Sequence, residues 1–157
     1  MNIELLCIGK DSADAFEEAI KQYVKKIKLY NNFDITVIPY LKNTKSLSFD
    51  EQKKREGKLF LKKITNSDYV VLLDECGKEL TSMEFSKFLQ QQMNSGVKKL
   101  VFVIGGAYGF SEAVYQRQNT RISLSKLTFP HLMTRLIFTE QLYRAFTILH
   151  NEPYHHD

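Results

Sequence analysis

The amino-acid sequence predicts an α/β fold with a mainly parallel sheet flanked by helices. Two runs, Tyr69-Val70-Val71-Leu72-Leu73 and Leu100-Val101-Phe102-Val103-Ile104, are continuously apolar with no polar alternation. Strands of that kind are covered on both faces, as in parallel sheets. Strand-like and helix-like segments alternate along the chain with a few loop residues between them, and helix-capping signals stand where the helices should begin. With 157 residues and 43% hydrophobic content, residues 1–157 suit one domain that buries most of what its unfolded form exposes.

Residues 3 to 8 (Ile-Glu-Leu-Leu-Cys-Ile) read as a first strand, closed by Gly9. Phe16, Ile20, Tyr23, Ile27 and Tyr30 then recur at alternating steps of four and three, the spacing of an amphipathic helix. Asp34 to Tyr40 is a second strand, and residues 41 to 47 are polar and loop-like. Ser48 with Glu51 matches a capping box opening a basic helix to about Ile64. Tyr69 to Asp74 is the third strand. Thr81 with Glu84 is a second capping box, starting a helix with Phe85, Phe88, Leu89 and Met93 inward that ends near Gly96. Lys98 to Ile104 is the fourth strand, Ser111 caps a short helix to about Arg117, and Arg121 to Leu124 is a brief fifth strand. Pro130 suits the first position of a final helix reaching about His150, because its missing amide proton costs nothing there. The apolar face of that helix (Leu132, Leu136, Phe138, Leu142, Phe146, Leu149) is broader than one sheet face needs, so part of it is expected to bury against a second copy of the chain.

Composition narrows the function classes. No run of about 18 apolar residues exists, and the N-terminus lacks the features of a secretion signal, which predicts a cytoplasmic protein with no membrane association. Cys7 and Cys76 sit in apolar, strand-like contexts and read as reduced, buried residues. His131, His150, His155 and His156 have no Cys or carboxylate at ligand spacing, so no metal is expected. The net charge is only +4, yet Lys42 to Lys63 holds eight Lys or Arg against Asp50, Glu51 and Glu56. That excess, with Lys53, Lys54 and Arg55 at its centre, suits a polyanion such as RNA; a solvated helix face is the alternative.

The chemistry concentrates in the last third. The fourth strand empties into Gly105-Gly106-Ala107-Tyr108-Gly109-Phe110, a turn whose backbone amides are open to close approach. The spacing matches neither the P-loop nor the dinucleotide fingerprint, so the ligand is better sought among groups held by backbone amides and apolar walls, such as an adenosine moiety. A tight connection with no ligand would look the same. Ser123-Leu124-Ser125-Lys126-Leu127-Thr128-Phe129-Pro130-His131 forms a second such loop.

Taken jointly, I-G-G-x-x-G-F at 104 to 110, S-L-S-K-L-T-F-P-H at 123 to 131, R-x-x-x-x-E-Q-x-Y-R-A at 135 to 145 and N-x-P-Y-H at 151 to 155 resemble the RlmH family of SPOUT methyltransferases. L-D-x-x-G-K at 73 to 78 extends the resemblance through the chain. It implies a SPOUT fold with a C-terminal trefoil knot, S-adenosylmethionine as methyl donor, a homodimer, and methylation of N3 of a pseudouridine in 23S ribosomal RNA. It also implies cofactor contacts at Leu73, Gly105, Leu124, Ser125, Lys126, Leu127, Thr128 and Phe129. The family's helix arginine falls on Arg144 and its tail on Asn151, Pro153, Tyr154 and His155.

Of these candidate catalytic residues, His155 is the base for the imide proton by its intrinsic acidity and Arg144 the charge that stabilises the deprotonated ring, while Tyr154 and His155 can stack on a base or hydrogen-bond its edge. For Arg144, an ion pair with Glu140 is the competing role, and for the tail, fraying. Two other functions remain open: a non-catalytic RNA-binding, ribosome-associated factor, and a SPOUT methyltransferase that acts on transfer RNA.

Overall fold

A computed structural model describes residues 1–9 and 15–156. Its elements, in chain order, are β1 (Asn2–Gly9), α1 (Ala15–Ile27), β2 (Phe33–Pro39), α2 (Phe49–Lys63), β3 (Tyr69–Glu79), α3 (Ser82–Asn94), β4 (Lys99–Ile104), α4 (Glu112–Arg117), β5 (Thr120–Ser123) and α5 (His131–Leu149). The five strands pair in the order β2-β1-β4-β3-β5, every pair parallel.

Strand order decides where each helix goes. The connections from β1 to β2 and from β3 to β4 step toward one sheet edge, and those from β2 to β3 and from β4 to β5 step toward the other. Because such crossovers are right-handed, the two sets fall on opposite faces. Ile27 of α1, Phe85 and Leu89 of α3, and Phe138, Leu142 and Phe146 of α5 pack with Leu5, Phe102 and Val71 on one face. Phe60 of α2 and Val114 of α4 pack with Leu6, Leu72 and Val103 on the other. Phe138 illustrates the packing density: fully buried, its ring lies 4.7 Å from that of Phe102 and 6.3 Å from that of Phe85. Burying one such side chain contributes about 1.5–3 kcal/mol.

Both capping boxes form. The Ser48 amide donates to Glu51 at 3.0 Å and the Glu51 amide to Ser48 Oγ at 3.2 Å; Thr81 and Glu84 do the same at 2.8 and 3.1 Å. Several local expectations are corrected. The first helix stops at Ile27, and Tyr30 lies beyond it with its ring stacked on Phe146 at 5.9 Å. Pro130 caps α5 rather than opening it: its ψ of 150° is extended, and its carbonyl accepts from the Thr134 amide at 3.0 Å. Ser111 does stand at the N-cap of α4, its carbonyl accepting from the Tyr115 amide at 3.1 Å, but its hydroxyl makes no cap bond and is turned toward Gly57 of α2. Cys7 is buried, whereas Cys76 is exposed: the chain has left the sheet interior after Leu73. The apolar face of α5 is largely taken up within the chain, where α5 packs on α1 and α3; Leu132, Leu136 and Leu149 stay half-buried.

Candidate active site

The carboxyl ends of β3, β4 and β5 open into one cavity of about 580 Å³. Open α/β sheets bind ligands at that end of their strands, because the loops there are free of the ladder. β3 builds one wall by an irregularity. Leu73 pairs with Ile122, and after an irregularity at residues 74–77 the strand pairs with Ile122 again through Lys78. Gly77 makes this possible, since a Cβ there would lie 2.6 Å from the Ile122 carbonyl carbon and 2.8 Å from the Ser123 nitrogen. The excursion carries Asp74, Glu75 and Cys76 into the cavity wall. Asp74 is fixed there by the Cys76 amide at 2.9 Å and by the Tyr115 hydroxyl, which donates at 2.7 Å. Burial, then that bond, pushes the Tyr115 phenol well above its ordinary range.

The glycine turn forms the second wall. The Gly109 amide donates to the Gly106 carbonyl at 3.1 Å, and Gly109 takes φ 82°, in the left-handed region that favours glycine. Behind Gly106 stands Glu56 of α2, only 2% exposed; a Cβ at Gly106 would run into its carboxyl. Glu56 Oε1 accepts from Gln52 at 3.1 Å, and Oε2 has no hydrogen-bond partner among the described residues. Burial raises the Glu56 pKa from the ordinary glutamate value, and the side chain buttresses the turn from behind Gly106.

The loop after β5 closes the third side. Ser125 Oγ accepts from the Leu127 amide at 2.9 Å, and the Ser123 hydroxyl donates to the Ser125 carbonyl at 3.1 Å. His131, the first residue of α5, also lines the cavity. Burial, with the Arg135 charge behind it, lowers the pKa of its imidazole from the ordinary histidine value.

A separate cluster occupies the other end of α5. Glu140 accepts from Arg144 Nε at 3.0 Å and Nη2 at 2.5 Å, and from the Tyr154 hydroxyl at 3.1 Å. Arg144 Nη1 stands 3.3 Å from His155 Nδ1, and the guanidinium lies 4.8 Å from the Tyr154 ring centroid. The tail is anchored rather than frayed. Asn151 takes φ 56° and closes α5 as a Schellman turn, its amide donating to Ile148 and that of Glu152 to Thr147. The Tyr30 hydroxyl donates to Glu152 at 2.6 Å, and that bond pushes its pKa up to about 12.

Residues 1–155 match the family model described as predicted SPOUT methyltransferase. The chain belongs to the SPOUT methyltransferase family. Among relatives of this SPOUT methyltransferase, the ribosomal RNA large subunit methyltransferase H of Christiangramia forsetii is 56% identical over 99% of both chains. Proteins of the same name from Parabacteroides distasonis and Bacteroides thetaiotaomicron are 56% and 54% identical over the whole of both chains.

The SPOUT methyltransferase chain gathers Leu73, Gly105, Leu124, Ser125, Leu127, Thr128 and Phe129 around the cavity. Lys126 is not among the lining residues: it is exposed and pairs with Glu79 at 3.6 Å. Lys53 lines the cavity, Lys54 pairs with Asp50 at 2.8 Å, and Arg55 is exposed on α2. Arg144, Tyr154 and His155 cluster together but do not line the cavity; from His131 to Arg144 the helix rises about 20 Å. Sequence reasoning missed Glu56, Gly77 and Tyr115. Only the glycine of L-D-x-x-G-K carried a signal, because the need for it lies in a strand distant in sequence.

Proposed function

We propose that this SPOUT methyltransferase transfers a methyl group from S-adenosylmethionine to N3 of a pseudouridine in 23S ribosomal RNA, acting in the cytoplasm as a homodimer with a C-terminal trefoil knot. The observation that carries the reading is the cavity at the ends of β3, β4 and β5, lined by both glycine-turn and post-β5 segments. Its residues suit the donor: Leu73, Ile104, Leu124 and Phe129 offer apolar walls to an adenine, and the carboxylates of Asp74 and Glu75 suit the cationic and hydroxyl groups of the rest. The relatives are named as methyltransferases of large-subunit ribosomal RNA, which supports ribosomal RNA as the methyl acceptor.

S-adenosylmethionine supplies an electrophilic methyl group, and the chain must align the target nitrogen with it and dispose of the imide proton. Arg144 is held by Glu140 and stands ready to stabilise the charge that develops on the deprotonated ring. While Arg144 donates toward His155 Nδ1, that nitrogen is an acceptor already engaged. Turning Arg144 to the substrate frees Nδ1 to take the N3 proton. Since the cavity and the tail cluster lie apart on one chain, a second copy is what brings Arg144, Tyr154 and His155 to the cavity.

Calorimetric titration with S-adenosylmethionine separates this reading from a non-catalytic RNA binder: saturable binding is expected, and none would refute it. Methyl transfer to ribosomes lacking the modification, with none to transfer RNA, separates it from a transfer-RNA enzyme.

A further inference from the structure

Phe49 and Tyr108 come from segments far apart in sequence, the first residue of α2 and the tip of the glycine turn. Their rings are stacked face to face, 4.1 Å between centroids and 18° between planes. Neither ring joins a core cluster, and they stay 65% and 40% exposed. A surface pair of that kind presents the outer face of Phe49 to solvent as a flat, apolar plate, braced from behind by Tyr108.

Its surroundings select the partner. Tyr108 lines the cavity, so the plate stands at its mouth, and Lys53, one turn along α2 from Phe49, lines the same cavity. Lys42 and Lys45 are exposed on the loop leading into the helix. The carboxylates on this turn are already engaged: Asp50 with Lys54 at 2.8 Å, and Glu51 with the Ser48 amide at 3.0 Å. What remains is an exposed aromatic face on a segment where Lys42, Lys45 and Lys53 make no ion pair within 4 Å among the described residues, which suits a planar base on an anionic backbone better than it suits a protein surface.

We propose that the Phe49–Tyr108 pair is a stacking platform for an unpaired nucleobase of the substrate RNA, neighbouring the nucleotide presented to the cavity, with Lys53 holding the phosphate between them. The proposal rests on the reading that the substrate is RNA. It makes Phe49 a substrate-positioning residue outside the cofactor site.

The test uses the full-length protein with Phe49→Ala, Phe49→Leu and Phe49→Tyr, and a single-stranded RNA carrying 2-aminopurine, whose fluorescence is quenched by stacking. Parent and Phe49→Tyr should bind and quench alike. Phe49→Ala and Phe49→Leu should lose about tenfold in RNA affinity, the scale of one base–aromatic stack, together with the quenching. With ribosomes as methyl acceptor, KM should rise for both while S-adenosylmethionine affinity stays within about twofold. Unchanged RNA affinity in Phe49→Ala, or parent-like behaviour of Phe49→Leu, overturns stacking. Loss of cofactor affinity makes the pair a cavity wall, and a changed oligomeric state in light scattering makes it a subunit interface; both outcomes overturn the platform. If the parent methylates no ribosomal RNA, the functional reading fails, and oligonucleotide quenching still decides the platform.

Discussion

Replacing Gly77 by Ala is the sharpest structural perturbation of the cavity. A Cβ at this position falls 2.6 Å from the Ile122 carbonyl carbon, 2.7 Å from the Ile122 nitrogen and 2.8 Å from the Ser123 nitrogen. Carbon contacts become attractive only at about 3.5–4.0 Å, so the β3 loop and β5 must part by roughly 1 Å. All three obstacles are backbone, which cannot rotate aside as a side chain can. Overpacking costs about 1–3 kcal/mol, and the upper end is expected here. For a chain of 157 residues, about 3 kcal/mol lowers Tm by roughly 6–12 °C. The same displacement moves Asp74–Cys76, so S-adenosylmethionine affinity should fall more than tenfold. Differential scanning calorimetry and isothermal titration measure the two effects. Gly96→Ala is the control: with φ 78° and nothing within 4 Å of an added Cβ, it should cost about 1–2 kcal/mol without touching cofactor binding. Parent-like Tm and affinity in Gly77→Ala would mean that the close approach of β3 to β5 at Gly77 shapes neither the fold nor the cavity.

Glu56 gives a pH-dependent prediction. Its folded pKa is raised by burial, so its stability contribution is complete below the ordinary glutamate range and is lost as pH rises through the folded value. Glu56→Gln removes that loss, and urea unfolding should find its stability relative to the parent increasing from pH 4 to pH 8; a constant difference would contradict a buried, titrating carboxyl. Charge removal at Lys53, Lys54 and Arg55 should weaken RNA binding and flatten the plot of log affinity against log salt by about 0.7 per lost single-strand phosphate contact. Lys54 should contribute least because Asp50 already holds it; equal slopes for mutant and parent would remove α2 from the RNA interface. Mixed dimers of His155→Ala with Thr128→Trp should regain methyl transfer that neither variant has alone, since one intact cavity then meets one intact tail. No recovery would mean that each chain uses its own tail.

The parts of this molecule written in local patterns were legible. Ser48 with Glu51 and Thr81 with Glu84 announce their helices because reciprocal side-chain bonds require that three-residue spacing. The continuously apolar β3 and β4 announce a doubly covered sheet, although strand order and register depend on contacts no local window contains. The turn at 105–109 was visible as glycines, but its buttress was not: Glu56 reads as one more charge on a basic helix until the fold buries it behind Gly106. Cys76 shows the opposite failure. It follows an apolar run and reads as buried, yet β3 leaves the sheet after Leu73 and exposes it. Pro130 has the φ of a first helical residue, and only its ψ of 150°, set by the loop that feeds α5, makes it the cap.

The identity of the methylated atom is the decisive measurement. Large ribosomal subunits lacking the modification are incubated with the protein and isotope-labelled S-adenosylmethionine, and the labelled nucleotide is mapped by mass spectrometry. One labelled pseudouridine in 23S ribosomal RNA is expected, carrying the methyl on N3. Label on another nucleotide, on a ribose, or on transfer RNA alone would contradict it.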